Sequence, residues 1–300
     1  MLLITTPTGN TGRAVLDTVL NAGETPRLLV RDPARLDPAV LERAEVIRGD
    51  LRDPASLEKA LSGVEGAFFC VPQSPDPDDM DAYYGSFAQP FAAAAKAAGV
   101  QRLVAISGGD GRAGNRGPGV QLHQLEQTLN AAGAATRFVR CGYFMEQFLW
   151  MLPGIAYGGM FALPVAADLP LPFVAARDIG HNAGQFLLDR TWTGQQAAAA
   201  HGPERLSCDH AAQIASDVLG LPVRFQSISA EQYAASLTPH GVSFAMGQSL
   251  GEMFAAISAG RDMGAVAETE LPCPTTLREW MQAVLKPALM AANAVGNINS

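Results

Sequence analysis

The sequence predicts an α/β fold, in which a doubly wound parallel sheet is followed by a smaller, mostly helical C-terminal lobe. Three features of the chain support this prediction. Short apolar runs alternate with helical stretches over the first half, the first run ends in a glycine-containing turn, and the alternation stops after about residue 150. Strands that alternate with helices form parallel sheets covered by helices on both faces. Most of the first half should therefore belong to one sheet.

The elements of the first half are short apolar runs, each followed by apolar residues at helical spacing. Strands are expected at residues 1–5, 27–30, 45–47, 66–71, 102–107 and 136–141, the last four of them buried. Helices are expected from the turn after the first strand to about Gly23, and at residues 54–62, 80–98 and 119–132. Right-handed crossovers then bring the carboxyl ends of all these strands to one edge of the sheet.

The second half begins with a glycine- and proline-rich stretch, from Pro153 to Pro172, and is then mostly helical. Helices are expected at residues 178–188, 207–219, 229–237, 243–260 and 275–290, with strand-like runs at 173–174 and 223–228. The predicted organisation is a first domain at 1–150, to which 173–190 returns, a substrate lobe at 151–172 and 191–290, and a loose tail at 291–300.

The turn after the first strand has the chemistry of a dinucleotide site. Free backbone N–H groups meet the positive end of the helix dipole there, which suits a pyrophosphate. Thr6 stands where the pattern G-x-x-G-x-x-G has its first glycine, but the β-α-β unit around the turn has the expected length. We therefore expect a Rossmann-type domain. The residues expected at the phosphates are Thr6, Pro7, Thr8, Gly9, Asn10, Thr11 and Gly12.

The end of the second strand predicts which dinucleotide binds. NAD-binding folds carry an acid there for the ribose 2′-hydroxyl, whereas this chain has Arg31, with Arg35 one helical turn further on. A guanidinium favours a 2′-phosphate, so NADP(H) is expected in preference to NAD(H). Asp32 is the competing candidate for the ribose, although its place before Pro33 equally suits a helix N-cap.

Ligands of such sheets bind beyond the carboxyl ends of the strands, which predicts the remaining cofactor contacts. Asp50 and Leu51 are placed to meet the adenine, although Asp50 could instead simply form a turn. The other residues expected at this edge are Cys70, Val71, Pro72, Ser107, Gly108 and Tyr143.

Composition narrows the class of protein. The chain has 300 residues, a net charge of −8, 48% hydrophobic residues and 17% charged residues, which favours a compact enzyme-like body over a nucleic-acid-binding protein. Since the first residues already form a strand and no apolar run approaches bilayer length, neither a signal peptide nor a membrane partner is expected, and the cytoplasm is the expected compartment. The four cysteines lack metal-binding spacing, so we expect no metal and buried, reduced thiols. Whether the chain forms a homodimer is left open.

The order of these features resembles the NmrA-like family of atypical, extended short-chain dehydrogenases/reductases. The matching segments are Thr8-Gly9-Asn10-Thr11-Gly12-Arg13, Val30-Arg31-Asp32-Pro33, Gly49-Asp50-Leu51, Ala98-Gly99-Val100, Glu126 with Leu129 and Gly133, Arg140 with Phe144-Met145-Glu146, Asp178-Ile179, Gly202 to Ser207, and Thr275 to Trp280. The resemblance implies an extended Rossmann domain with a small substrate lobe, in members that are either NADP(H)-dependent reductases or dinucleotide-sensing regulators. Members often carry Lys or His four residues before the glutamate that matches Glu126. Here that position is Leu122, and His123 follows it.

Short-chain dehydrogenases that act on alcohols use a Tyr-x-x-x-Lys pair as proton donor, and this chain lacks one. Its lysines are Lys59, Lys96 and Lys286, none of which lies four residues after a tyrosine. Either the hydride acceptor is already activated, as a quinone, enone or imine is, or no reaction occurs. The candidate catalytic residues are His123 and Tyr143 as proton donors and Ser107 as a hydrogen-bond partner for a substrate carbonyl. Each has a simpler alternative: a solvated helix residue, a pocket wall and a turn former, respectively.

Large apolar residues near the expected strand ends predict an apolar pocket for a flat substrate. The expected pocket residues are Phe69, Gln73, Phe144, Met145, Phe148, Trp150 and Tyr157. The glycine-rich run 108–119, with Arg112 and Arg116, could form a lid or only a surface loop. The leading hypothesis is an NADP(H)-dependent oxidoreductase that transfers hydride to a small apolar electrophile. The alternative is a non-catalytic NAD(P)-sensing regulator that binds a protein partner.

Overall fold

The computed structural model of the chain describes residues 1–74, 76–108, 117–259 and 269–296. Eight parallel strands form its main sheet. The strands are β1 (Leu2–Thr5), β2 (Arg27–Val30), β3 (Glu45–Arg48), β4 (Gly66–Phe69), β5 (Arg102–Gly108), β6 (Ala135–Cys141), β7 (Tyr143–Phe144), β8 (Met160–Leu163), β9 (Leu171–Val174), β10 (Gln195–Ala200), β11 (Arg205–Leu206), β12 (Arg224–Ser227) and β13 (Thr269–Glu270). The order in the main sheet is β13-β10-β6-β5-β4-β1-β2-β3, and β11-β9-β7 and β12-β8 form two small sheets. The predicted doubly wound α/β class is confirmed.

The helices carry most of the second half of the chain. They are α1 (Asn10–Asn21), α2 (Pro38–Leu41), α3 (Pro54–Leu61), α4 (Met80–Ala97), α5 (Pro118–Asn130), α6 (Gln147–Trp150), α7 (Leu152–Gly158), α8 (Ala176–Leu188), α9 (Cys208–Leu219), α10 (Ala230–Leu237), α11 (Phe244–Ser258), α12 (Leu277–Trp280) and α13 (Lys286–Gly296). Short 3₁₀ turns lie at Pro33–Arg35 and Thr238–His240, and a π-helical stretch at Met281–Leu285 joins α12 to α13. Across the described parts of the chain, none of these helices has the length and apolarity needed to cross a bilayer.

Helix α8 returns from the second half to pack on α1, and two glycines allow this close approach. A Cβ on Gly180 would lie 2.5 Å from both the Ala14 Cβ and the Thr11 carbonyl oxygen, and one on Gly184 would lie 2.7 Å from the Thr18 Cβ. Both distances are shorter than a side chain permits, so glycine is required for α8 to lie this close beside α1 on the same face of the sheet. This packing fixes the direction in which the N-terminus of α1 points.

The lobe has its own apolar core, built around Phe148, Phe173, Phe254 and Trp280. Glu146 ties this core to the start of α8. Its carboxylate accepts hydrogen bonds from the Trp280 Nε1–H and the Ala176 backbone N–H, each at 3.1 Å. Burial raises the pKa of Glu146 above its ordinary value, because removal from water disfavours the charged form of the carboxyl group.

Three expectations differ from the structure. The segment 195–200, placed in the lobe by the sequence, is strand β10 of the main sheet, and β13 continues the sheet beyond it. Its sequence Gln-Gln-Ala-Ala-Ala-Ala lacks the β-branched and aromatic residues typical of strands. Strand β3 is an edge strand with exposed or half-buried side chains, not a buried one. The expected loose tail from residue 291 is helical as far as Gly296.

Candidate active site

The turn between β1 and α1 brings backbone N–H groups to the carboxyl edge of the sheet. The Gly9 N–H donates to the Thr6 carbonyl oxygen at 3.1 Å, which closes the turn. A Cβ on Gly12 would lie only 2.1 Å from that same oxygen, so glycine is required there for α1 to begin against β1. Gly9 is the N-cap and has no side chain to occupy the first N–H groups of α1. These groups are therefore available to an anion.

Thr6 adopts a backbone conformation that threonine rarely occupies. Its φ of +51° lies in the left-handed region, and it is the one non-glycine residue with a positive φ among the described residues. A β-branched side chain is disfavoured there by about 1–2 kcal/mol. The chain therefore keeps the shape of a glycine turn with a threonine in it, and the strain is concentrated where the dinucleotide is expected.

The ends of β2 and β3 lie side by side at this edge. Arg31 and Arg35 are both exposed beyond β2. The Asp32 carboxylate accepts from the Ala34 N–H at 3.1 Å and caps the following turn, so the structure gives this residue the capping role. Past β3, the Gly49 N–H donates to the Val30 carbonyl oxygen at 3.0 Å, which places Asp50 next to Arg31.

Two residues that the sequence analysis did not select complete this end of the edge. Arg52 makes a two-pronged ion pair with Asp50, and its guanidinium lies over the Phe87 ring, 5.3 Å from the centroid. Tyr83, on α4, donates from its hydroxyl to the Pro72 carbonyl oxygen at 2.6 Å. The spacing Asp-x-Arg after a strand could have suggested the first of these residues. Nothing local to Tyr83 suggests the second.

The end of β4 is fixed to β1 by a buried threonine. The Thr5 hydroxyl donates to the Phe68 carbonyl oxygen at 3.0 Å and accepts from the Cys70 N–H at 3.4 Å. Cys70 and the next residues, Val71 and Pro72, are half-buried. Burial raises the pKa of Cys70 to about 12, so this thiol stays protonated at neutral pH.

The end of β5 carries a buried polar cluster made of Ser107, Glu126 and Arg140. Glu126 Oε1 accepts from the Ser107 hydroxyl at 2.7 Å and from Arg140 Nε at 2.9 Å. Its Oε2 accepts from Arg140 Nη2 at 2.6 Å. The Ser107 hydroxyl proton is therefore committed to Glu126. The structure thus gives the Ser107 hydroxyl another acceptor, and its expected hydrogen bond to a substrate carbonyl stays a prediction.

His123 lies one position beyond the residue of α5 that faces the edge. A Cβ on Gly108 would lie 3.2 Å from Leu122 Cδ1, so Leu122 covers the end of β5. The next residue is turned by about 100° around the helix. His123 is half-buried, its Nε2 lies 3.1 Å from Gln127 Nε2, and its Nδ1 is buried with no hydrogen-bond partner. Its role as proton donor stays a prediction.

Tyr143 is placed in the lobe core and not at the cofactor edge. Its ring packs edge-on against Phe173, with centroids 5.5 Å apart, and only 5% of the residue is exposed. Burial raises its pKa well above the ordinary value, so the phenol does not ionise at neutral pH. Because the ring is buried in this core, the structure does not support the expectation that Tyr143 exchanges a proton beside the nicotinamide.

The expected pocket residues are divided between core and surface. Phe69 and Phe148 have no exposed surface and Met145 has 1%, so these three lie in the core and do not line an open cleft. Trp150 and Tyr157 are 66% and 78% exposed and do not line an enclosed cleft. Gln73, exposed in the β4–α4 loop, and half-buried Phe144 keep the predicted role as hypotheses. Arg112 and Arg116, expected in a lid, lie outside the described residues.

A hydrogen bond at the start of α11 joins the lobe to this edge of the sheet. The Ser243 hydroxyl, at the N-cap of α11, donates to the Pro77 carbonyl oxygen at 2.6 Å and accepts from the Met246 N–H. The β4–α4 loop, which begins beside the phosphate turn, is thereby held against the first turn of α11. A cleft between the sheet edge and the lobe would have this loop as one wall.

The position of Tyr143 gives a direct prediction. We expect Tyr143→Phe to keep the turnover number within about twofold of the wild type with an unchanged pH profile, because general acid catalysis contributes about 10²–10⁴-fold only where the acid reaches the substrate. Steady-state kinetics over pH 6 to 9 would measure this. A loss of tenfold or more at unchanged melting temperature would show that the phenol does take part in the reaction.

The comparisons with known proteins agree with this architecture. The model of the NmrA-like family matches residues 1–281. The NAD(P)H azoreductase of Xenophilus azovorans is 31% identical over 257 residues, which cover 85% of this chain and 86% of that protein. The (4-alkanoyl-5-oxo-2,5-dihydrofuran-3-yl)methyl phosphate reductase of Streptomyces griseus is 32% identical over 241 residues, 79% of this chain and 80% of that one.

Among solved structures, an NADPH-dependent quinone oxidoreductase of Escherichia coli, complexed with NADPH, superimposes with a TM-score of 0.79 at 22% identity. The match covers 95% of this chain and all of that one, and it shows a common fold. On the family model and the two relatives above 30% identity, this chain belongs to the NmrA-like family.

Proposed function

We propose that this protein is an NADPH-dependent reductase that transfers hydride to a small apolar electrophile of quinone, enone or imine type. The observation that carries the proposal is the sheet edge itself. The N-terminus of α1, formed over Gly12, is open, and Arg31 follows β2, the strand that pairs with β1. The names of the two relatives above 30% identity, an NAD(P)H azoreductase and a reductase of an oxo-dihydrofuran phosphate, support the same class of reaction.

The residues of the turn fit a dinucleotide. The first N–H groups of α1 would hold the pyrophosphate, since the N-cap glycine leaves them open. Arg31 would pair with the 2′-phosphate, because a guanidinium matches the geometry of a phosphate and stays charged at any physiological pH. Bound there, NADPH supplies the hydride that the reaction needs.

The chain's own polar groups favour an acceptor that needs little help from an acid. No lysine lies four residues after a tyrosine, the Ser107 hydroxyl is held by Glu126, and the Tyr143 ring is packed in the lobe core. A quinone or iminium carries its own electron deficiency, so it accepts hydride before any proton is required. His123 is the candidate that remains for the later proton transfer.

The experiment that tests the proposal changes Arg31. We expect Arg31→Ala to lower kcat/KM for NADPH by about 10- to 100-fold, since a hydrogen bond to a charged group contributes about 1.5–3 kcal/mol. The kcat/KM for NADH should change by less than threefold, because NADH has no 2′-phosphate. Initial rates with both cofactors, on a panel of quinones, enones, imines and azo compounds, give the measurement.

The two cofactors serve as each other's control. Equal losses for NADPH and NADH, or a wild-type protein that prefers NADH, would contradict the 2′-phosphate assignment. Saturable NADPH binding with no turnover on any acceptor of the panel would contradict the reductase and favour the alternative of an NAD(P)-sensing regulator.

A further inference from the structure

We propose that Arg52 is a specificity-determining residue: it holds the Asp50 carboxylate in an ion pair and so prevents Asp50 from repelling the 2′-phosphate of a cofactor at Arg31. The inference deepens the proposed function and rests on it. Arg52 acts through Asp50, so it is a positioning residue that need not touch the cofactor.

The pairing of β2 with β3 places the two charges together. The strands are parallel, with Val30 opposite Arg48, and the Gly49 N–H donates to the Val30 carbonyl oxygen at 3.0 Å. Arg31 and Asp50 therefore follow the paired ends of two strands that lie about 4.8 Å apart. The positive charge of Arg31 contributes to a lowered pKa of Asp50, behind the larger effect of Arg52, so Asp50 is ionised at neutral pH.

An ionised carboxylate beside the 2′-phosphate would disfavour NADPH. Dinucleotide sites that select NAD use an acid in this region, because it accepts from the 2′-hydroxyl and repels a phosphate. Asp50 comes from the neighbouring strand, but its negative charge would act on the same phosphate. Some feature must offset that charge if Arg31 is to attract the phosphate with full effect.

Arg52 neutralises the negative charge of Asp50 by hydrogen bonds to both oxygens of its carboxylate. Its Nε donates to Asp50 Oδ1 at 3.1 Å and its Nη2 to Oδ2 at 3.0 Å, and its backbone N–H donates to Oδ1 at 2.8 Å. The guanidinium is held over the Phe87 ring on α4. Both carboxylate oxygens are therefore occupied, and the pair as a whole carries no net charge.

Folding stability does not explain this pair. The Arg52 side chain is 51% exposed and that of Asp50 31%. Ion pairs at such exposure contribute little to the free energy of unfolding. A matched pair exists far along the chain, between Arg278 and Asp217, with side chains 47% and 43% exposed and a single 2.9 Å contact. It serves as the control for removing an exposed arginine from an ion pair.

The test is calorimetric titration with 2′,5′-ADP and 5′-AMP, which differ in the 2′-phosphate alone. We expect Arg52→Ala to lower the affinity for 2′,5′-ADP by about tenfold and the affinity for 5′-AMP by less than twofold. Adding Asp50→Asn to the Arg52→Ala variant should restore the affinity for 2′,5′-ADP to within about twofold of the wild type. Asp50→Asn alone leaves the Arg52 charge unpaired, so it should raise the preference for 2′,5′-ADP over 5′-AMP. Arg278→Ala should leave the ratio of the two affinities unchanged.

The outcomes separate this inference from the proposed function. A wild-type protein without preference for 2′,5′-ADP would overturn the NADPH assignment itself. If the wild type has that preference and Arg31→Ala removes it, but Arg52→Ala does not reduce it, only the role of Arg52 is overturned. Equal weakening of both nucleotides by Arg52→Ala, or no rescue by Asp50→Asn, would also overturn it, because Arg52 would then contact adenine or phosphate directly.

Discussion

Replacing Gly12 with alanine is expected to raise the dissociation constant for NADPH by 100-fold or more and to lower the melting temperature. The new Cβ would lie 2.1 Å from the Thr6 carbonyl oxygen and 2.8 Å from its carbon, and both are backbone atoms that cannot turn away. Helix α1 would have to move off β1, at a cost of about 1–3 kcal/mol for overpacking. Calorimetric titration and thermal unfolding monitored by circular dichroism would measure both effects.

Two other glycines make the result specific. At Gly9 a Cβ would be 3.5 Å from the nearest protein atom and φ is −84°, so Gly9→Ala should keep the wild-type melting temperature. The variant should still bind NADPH more weakly than the wild type, because the backbone at this position approaches the pyrophosphate. Gly85→Ala, in the middle of α4 with its nearest neighbour at 3.5 Å, should change neither property for the worse. Wild-type binding by Gly12→Ala would contradict the assignment of the turn.

The shape of the β1–α1 turn could be predicted from sequence because each of its requirements is local. The strand, the glycines and the apolar face of α1 lie within the first 21 residues, so spacing alone relates them. What spacing could not show is that Thr6 takes the left-handed conformation of a glycine. Nor could spacing show that α8, from a segment far along the chain, packs against α1 through Gly180 and Gly184.

The candidate pocket was predicted less well because it depends on where the chain leaves the sheet. Tyr143 follows β6, and a residue at that position would face the cofactor if the strand simply ended. Instead β7 pairs with β9, and Gly142 allows the crossing, since a Cβ there would lie 2.3 Å from the Pro172 carbonyl oxygen. This turns the Tyr143 ring into the lobe core. A pairing between distant segments decided the outcome, and no local pattern encodes it.

Removal of the Glu126 carboxylate is expected to be the most destabilising single change at the sheet edge. The side chain is 8% exposed and receives three hydrogen bonds from Ser107 and Arg140. Breaking a buried pair by deleting one partner costs about 3–5 kcal/mol. Glu126→Ala should therefore lower the free energy of unfolding by about 3 kcal/mol or more, measured by urea denaturation. Glu126→Gln should lose less, since its carbonyl oxygen can still accept.

The exposed ion pair between Arg278 and Asp217 provides the control for this prediction. Asp217→Ala removes the exposed partner of Arg278 and should cost less than about 1 kcal/mol. An equal cost for Asp217→Ala and Glu126→Ala would show that burial does not set the strength of the Glu126 pair.

Because the cluster joins the ends of β5 and β6 to α5, its loss should also loosen the helix that carries His123. A folded Glu126→Gln variant that keeps NADPH affinity but loses turnover would then indicate that α5 positions a group at the nicotinamide end.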